Sequence, residues 1–260
     1  MEYEETELFG EVTLPKTINE IINLISIHAK TKRNLYLWRG QGNIDWRIDS
    51  SAYRRLNKNA DTITEDEMQS YEKHLLSHAT HSGYRFENGR VLSDFELLAK
   101  LQHHGAATRL VDCSRNVLVA LWFTCASEKN KIGLLFGIHS DSLGGMENKT
   151  EDRTCNEIFE HLAEYNHPQV WHPPVVTTRI AAQNAQFLYS KVSTNEMGSL
   201  SIDPDPETFI AIGILPELKS KLLEELSNTF DIRYLTLFPD IDGFGYANSV
   251  HFYKFESERW

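Results

Sequence analysis

Three short signatures constrain this chain more than any other feature: Thr17 with Glu20, Thr64 with Glu67, and Ser93 with Glu96. In each, a hydroxyl residue is followed three positions later by glutamate. The hydroxyl can accept the third amide of a helix while the carboxylate returns to the amide of the capping residue. Each pair therefore predicts a helix start. The first helix carries Ile18, Ile21, Ile22 and Ile25 on its apolar side, and the second runs to about Ala79. The third carries Phe95, Leu98 and Leu101 and stops near Gly105, because glycine tolerates the left-handed conformation that closes helices. A further apolar helix is predicted over residues 116–126. Another begins at Pro216 and runs through Leu218, Leu222, Leu223 and Leu226, since proline suits a first helical turn.

Strand candidates are short. Residues 35–39 read LYLWR, residues 132–139 read IGLLFGIH, and 186–192, 209–214 and 234–238 complete the set. Helices dominate the first half and strands the second, which is neither a β-α-β alternation nor a run of hairpins. The predicted class is α+β, with a helical N-terminal half packed on a mixed or antiparallel sheet. Residues 143–174 contain Gly144, Gly145, Pro173 and Pro174 among many polar residues. They read as an insertion or long connection on the surface, with one short helix near 156–165.

With 260 residues the chain can bury a full core. Its net charge of -11 excludes a broadly basic surface that coats nucleic acid, while leaving room for a local basic groove. Cys113, Cys125 and Cys155 form no C-x-x-C pair, which argues against a disulfide framework or a zinc ribbon. The acidic start MEYEETELFGE lacks the basic-then-apolar pattern of a signal peptide. No apolar run approaches the about 20 residues of a membrane span. A cytoplasmic location without a membrane partner is expected.

Chemistry concentrates in three segments. Trp38-Arg39-Gly40-Gln41 ends the first strand candidate at a turn. A guanidinium there can grip two oxygens of a phosphate or carboxylate, or it can bond loop carbonyls. Between two apolar helices, Gln102, His103, His104, Thr108, Arg109, Asp112 and Arg115 crowd into a short span. Asp112 is either a site carboxylate, a helix cap or a partner for Arg109. His103 and His104 either titrate within a site or complement a helix end. They have no i, i+4 partner among His161, His167 and His172, so no metal is expected. In the third segment, RIAAQNAQF over residues 179–187, Gln183 and Gln186 either read a ligand's polar groups or lead into an edge strand. Cys113, beside an apolar helix, reads as a packed small residue rather than a nucleophile. P-loop, dinucleotide-fold and nucleophile-elbow motifs do not occur.

Taken in order, these segments resemble the FRG domain family. That family is named for a Phe-Arg-Gly motif, which stands here as Trp38-Arg39-Gly40 followed by Gln41. QHHGAATRLVD over residues 102–112 is similar to the family's most distinctive segment. Arg179, Gln183 and Phe187 resemble its R-I-x-x-Q-x-G-x-F motif, and LTLFPDIDG over 235–243 resembles its LFPDLDG signature. Four motifs in order across residues 35–250 imply a single domain spanning 1–260. Trp38 keeps the aromatic character of the usual Phe. Ala185 stands where glycine is common, and Cys113-Ser114 replaces a frequent Trp-Thr, which alters the floor of the site.

The resemblance implies, by analogy of fold, an ADP-ribosyltransferase-like core. Such a protein uses NAD to modify a macromolecule, whether RNA, DNA or protein. The family's setting implies a toxin or antiphage effector with an antitoxin or chaperone as partner. The catalytic residues implied are Arg39, His104, Arg109 and Gln183, with Arg39 on a phosphate of NAD and Gln183 where a catalytic glutamate often stands. Trp38, Gly40, Gln41, His103, Thr108, Asp112 and Arg179 are implied to line the NAD pocket. Two other classes stay open. One is a nucleotide- or nucleic-acid-binding module without chemistry. The other is a metal-independent ribonuclease using His103 and His104 as acid and base.

Overall fold

The computed structural model describes residues 2–31, 35–59, 62–87, 89–146, 151, 153–175 and 177–250. The strands are β1 (Glu2–Thr6), β2 (Gly10–Leu14), β3 (Leu35–Gln41), β4 (Phe86–Glu87), β5 (Arg90–Val91), β6 (Val111–Ser114), β7 (Gly133–His139), β8 (Gly144–Met146), β9 (Gln169–Trp171), β10 (Ala185–Tyr189) and β11 (Phe209–Ile214). The helices are α1 (Ile18–Thr31), α2 (Ser51–Leu56), α3 (Glu65–His81), α4 (Asp94–His103), α5 (Val117–Ala126), α6 (Cys155–Ala163), α7 (Thr178–Ala182), α8 (Pro216–Phe230), α9 (Tyr234–Leu237) and α10 (Ile241–Ala247).

A nine-stranded mixed sheet organises the chain, in the order β1-β2-β11-β7-β3-β6-β10-β9-β8. Neighbours are antiparallel except β11 with β2 and β8 with β9. Residue alternation sorts side chains between its two faces. On one face Leu37, Leu134, Phe136, Ile138 and Leu188 pack under loop residues Ile44, Ile48, Met197 and Leu200. On the other face Trp38, Leu135 and Ile212 meet α1, α5 and α8, while Phe187 and Tyr189 meet α3, α4 and α6. Full burial of each such aliphatic or aromatic side chain contributes about 1.5–3 kcal/mol. One face thus carries two separate groups of helices, and this confirms the α+β class.

The capping signatures locate the helix starts. Thr64 Oγ1 accepts the Glu67 amide at 3.3 Å and the Glu67 carboxylate accepts the Thr64 amide at 2.8 Å. Ser93 and Glu96 do the same at 3.3 and 2.9 Å. Thr17 makes half of its box: its hydroxyl accepts the Glu20 amide at 3.2 Å, but the Glu20 carboxylate accepts the Lys16 amide instead. Gly105 has φ +86°, in line with its expected role after α4. The expected strands at 35–39, 132–139 and 209–214 are β3, β7 and β11, and that at 186–192 is the shorter β10.

Three expectations need correction. Residues 234–238, read as a strand, form α9, because the Thr236 hydroxyl accepts the Arg233 amide at 3.0 Å and closes a helical turn. Residues 143–174 are not a surface elaboration. Their β8 and β9 extend the sheet beyond β10, and Ile158, Phe159 and Leu162 of α6 are buried with Trp171 and Phe95; residues 147–150 and 152 of this segment lie outside the described ones. Strands are also more frequent in the first half than expected, since β1, β2, β4, β5 and β6 join the expected β3 before residue 115. A buried lysine fixes the far end of α5. Lys219, 1% exposed, donates to the carbonyls of Gly42, Ser127 and Glu128 at 2.7, 3.1 and 2.8 Å, which uses all three ammonium hydrogens.

Candidate functional site

The site forms where the sheet opens. The β3–β6 ladder has one paired position, Trp38 with Ser114. One residue on, the Arg39 side chain takes over: its Nη1 donates to the Asp112 carbonyl at 2.8 Å and its Nε to Gln41 Oε1 at 3.2 Å. Arg39 Nη2 makes no hydrogen bond among the described residues, so one edge of the fork remains available. Gly40 lets β3 run against α5, since a Cβ there would lie 1.9 Å from the Ala120 carbonyl oxygen.

A cavity of about 340 Å³ opens above β3, β6 and β10, between α5 and the C-terminal end of α4. Its polar lining includes Arg39, Gln102, His103, Asp112, Arg179 and Gln183; Phe123, Phe187 and Phe238 supply apolar wall. Asp112 is the one carboxylate among the described lining residues. Gln102 Nε2 donates to its Oδ2 at 2.7 Å, and Gln102 Oε1 accepts from the Thr108 hydroxyl, so a relay from the buried Thr108 sets the carboxylate's orientation. Asp112 is exposed to the cavity. Loss of solvation pushes its carboxyl up, against Arg39 and Gln102, which pull it down.

On the far wall, Arg179 is held from behind by Asp240, which stands outside the lining. Arg179 donates to Asp240 through Nε and Nη2 at 2.5 and 2.8 Å, and its guanidinium lies 4.9 Å from the Phe238 ring centroid. Arg179 holds the Asp240 carboxyl below its ordinary value. His103 Nε2 approaches Asp240 at 3.4 Å. Partial burial, and then the Arg179 charge, push the His103 pKa down, which favours neutral imidazole.

The structure thus gathers Trp38, Arg39, Gly40, His103, Asp112, Arg179 and Gln183 around one cavity. It places other expected residues elsewhere. Arg109 is buried and faces away, donating to Glu72 Oε2, to Glu65 at 3.0 Å and to the Ser190 carbonyl at 3.2 Å, with Phe159 beneath it. Its charge is committed to the core, so the catalytic assignment is corrected. Loss of solvation pushes the Glu72 carboxyl up and Arg109 opposes this. His104 is also corrected: it is exposed, outside the cavity lining, and approaches Asp242 at 3.6 Å. Thr108 and Gln41 support the site from behind, Gln41 Nε2 donating to the Trp46 carbonyl at 3.0 Å.

Gln183 lines the cavity, but its Nε2 donates to the Leu237 carbonyl at 3.0 Å, so it ties α9 to the end of α7 rather than offering a free catalytic group. Cys113 is buried and its thiol is pushed up to about 12 by loss of solvation, which removes it as a nucleophile at neutral pH. The sequence put Gln102 in the polar cluster without giving it a role, and it gave no signal for Phe123 and Phe238. His103, His104 and Asp242 bring potential ligand atoms within 4.8 Å of one another. Asp242 arrives there from α10, which histidine spacing could not reveal.

Fold and site together define an α+β protein with an arginine-centred cavity at the opening of a mixed sheet. Residues 34–132 match the model of the FRG domain family. The Trp38-Arg39-Gly40 and 102–112 motifs lie inside this match, while the 179–187 and 235–243 motifs lie beyond it. No curated protein and no solved structure matches the chain significantly. No helix of the described residues is long and apolar enough to cross a membrane.

Proposed function

We propose that the cavity binds NAD and transfers its ADP-ribose to a macromolecule, the activity that resemblance to the FRG family implies. One observation carries the reading: Arg39 presents an unpaired guanidinium edge beside Asp112, the one described carboxylate of the lining. The Arg39 fork suits a pyrophosphate oxygen. The apolar wall of Phe123 and Phe238 suits a nicotinamide ring.

Breaking the bond between the nicotinamide nitrogen and ribose C1′ leaves positive charge on the sugar and releases neutral nicotinamide. The acceptor's nucleophile then bonds to C1′ and gives up its proton. In this reading Asp112, oriented by Gln102, stabilises that sugar cation and takes up the acceptor's proton. This gives Asp112 the role that the family analogy lent to Gln183. A ribonuclease reading is less well supported, because the His103 and His104 rings touch at 4.7 Å, one in the cavity and one outside. They cannot flank a scissile phosphate from two sides.

Purified protein incubated with NAD and candidate acceptors should release nicotinamide. Arg39→Ala and Asp112→Asn should abolish release while retaining the native circular-dichroism spectrum. Intact NAD with every acceptor class would overturn the reading. Binding of ADP-ribose by calorimetry, with NAD left intact, would favour a non-catalytic binding module, which the engagement of Gln183 by Leu237 also suits. The further reading as a toxin or defence effector predicts growth arrest on expression, relieved by Arg39→Ala or by a cognate antitoxin.

A further inference from the structure

A second concavity, an open groove between α2 and α3, begins where the site ends. It is lined by Arg54, Arg55 and Lys58 on one side and by Tyr71, His74 and His78 on the other, with the 105–107 turn as its floor. No aspartate or glutamate is among its described lining residues. In a chain of net charge -11, that is a strong local inversion of sign.

The three cations are exposed and make no ion pair among the described residues. Arg54 donates only to the Asp49 carbonyl, at 2.7 Å, and Arg55 lies over the Tyr71 ring at 5.8 Å. Tyr71 is held in place, its hydroxyl donating to the Ala107 carbonyl at 2.8 Å. Of the acids of α3, Glu65 and Glu72 are bound to Arg109 and Glu67 caps Thr64. The His74 and His78 rings run nearly parallel, 6.3 Å apart and 29° between planes, and offer flat surfaces along the groove.

The groove is continuous with the site. It shares Ser51, Arg54, Gly105 and Ala106 with a small pocket, which in turn shares Arg39, Gln102 and Asp112 with the main cavity. A path with Lys58, Arg55, Arg54 and Arg39 along it therefore joins groove to site, and the carboxylates of Asp49 and Asp112 stand only at its cavity end.

We propose that this groove binds the phosphate backbone of a single-stranded nucleic acid and leads it to the Arg39–Asp112 cavity as the acceptor. The acceptor role rests on the reading of that cavity as an NAD site; the binding does not. Three cations along one groove match backbone phosphates, and ring faces beside them match unstacked bases, which an acidic peptide does not offer.

The test is fluorescence anisotropy with labelled 12-nucleotide single strands of RNA and of DNA at two salt concentrations. An Arg55→Glu/Lys58→Glu variant, altered at two exposed positions, should lose at least tenfold in affinity. Its salt dependence should flatten by about 1.4 in log–log slope, roughly 0.7 per lost phosphate contact on a single strand. Unchanged binding by the variant would overturn the groove, and so would equal competition by a polyglutamate peptide. If nicotinamide is released while no oligonucleotide binds, the groove falls and the NAD reading stands. If oligonucleotides bind and the variant loses them while NAD stays intact, the groove stands and the transfer chemistry falls. A stronger effect with RNA than with DNA would identify the sugar read by the site and support the groove in either case.

Discussion

Arg39 reaches across 73 residues of sequence to donate from Nη1 to the backbone carbonyl of Asp112 at 2.8 Å. The bond stands next to the single paired position of β3 and β6, so one guanidinium both braces the opening of the sheet and faces the cavity. Bracing uses Nη1 and Nε, and Nη2 makes no hydrogen bond among the described residues.

Arg39 substitutions should separate charge from geometry. Arg39→Lys keeps the charge and loses the fork, and Arg39→Ala loses both. With a hydrogen bond to a charged group worth about 1.5–3 kcal/mol, ADP-ribose should bind about tenfold more weakly to the lysine variant and about 100-fold more weakly to the alanine variant. Titration calorimetry measures both. Equal affinities across all three proteins would remove Arg39 from the ligand.

Gly40→Ala should destabilise the fold by more than the about 1–3 kcal/mol usual for overpacking. The new Cβ would lie 1.9 Å from the Ala120 oxygen and 2.6 Å from the Thr124 nitrogen, and both obstacles are backbone that cannot rotate away. Urea denaturation would register the loss; a midpoint close to wild type would mean that α5 can shift off β3.

Arg109→Ala should cost about 3–5 kcal/mol, because it leaves Glu72 buried without its partner. His104→Ala, at an exposed position, should stay within about 0.5 kcal/mol and leave nicotinamide release unchanged. The two variants test the relocation of these residues out of the site, and loss of turnover in His104→Ala at native stability would return that histidine to it.

His103 should make the fold less stable in mild acid. Its folded pKa lies below the ordinary histidine value of 6.5 because burial and Arg179 disfavour the charged ring. As pH falls through 6.5 the unfolded chain takes up a proton before the folded one does, so stability declines from that point downward. Above 6.5 this contribution is absent. His103→Gln should flatten the urea midpoint between about pH 6.5 and 5. An identical slope in both proteins would contradict this.

How far the sequence reveals this protein depends on the range of the interactions concerned. Helix starts at Thr64 and Ser93 were legible because a capping box closes within three residues, and β7 and β11 because an unbroken apolar run suits a strand covered on both faces. Residues 234–238 misled, since their β-like composition says nothing of the Thr236 hydroxyl that turns the chain after Arg233. The N-terminal strands were missed because polar, exposed β1 is held by its ladder to β2 and not by a buried face.

The site divides in the same way. The sequence by itself determined that Arg39 lies in a strand, though β3 runs on to Gln41, that a polar cluster follows α4, and that these segments resemble the FRG domain family. Only the tertiary structure decided which members of the cluster share the cavity. Asp112 and Arg109 are three residues apart, yet one lines the cavity while the other is buried against Glu72. Which of them meets a ligand depends on what α3, some forty residues upstream, packs beneath the turn. Local spacing carries no record of that contact, because burial and ion pairing are settled by residues that only folding brings together.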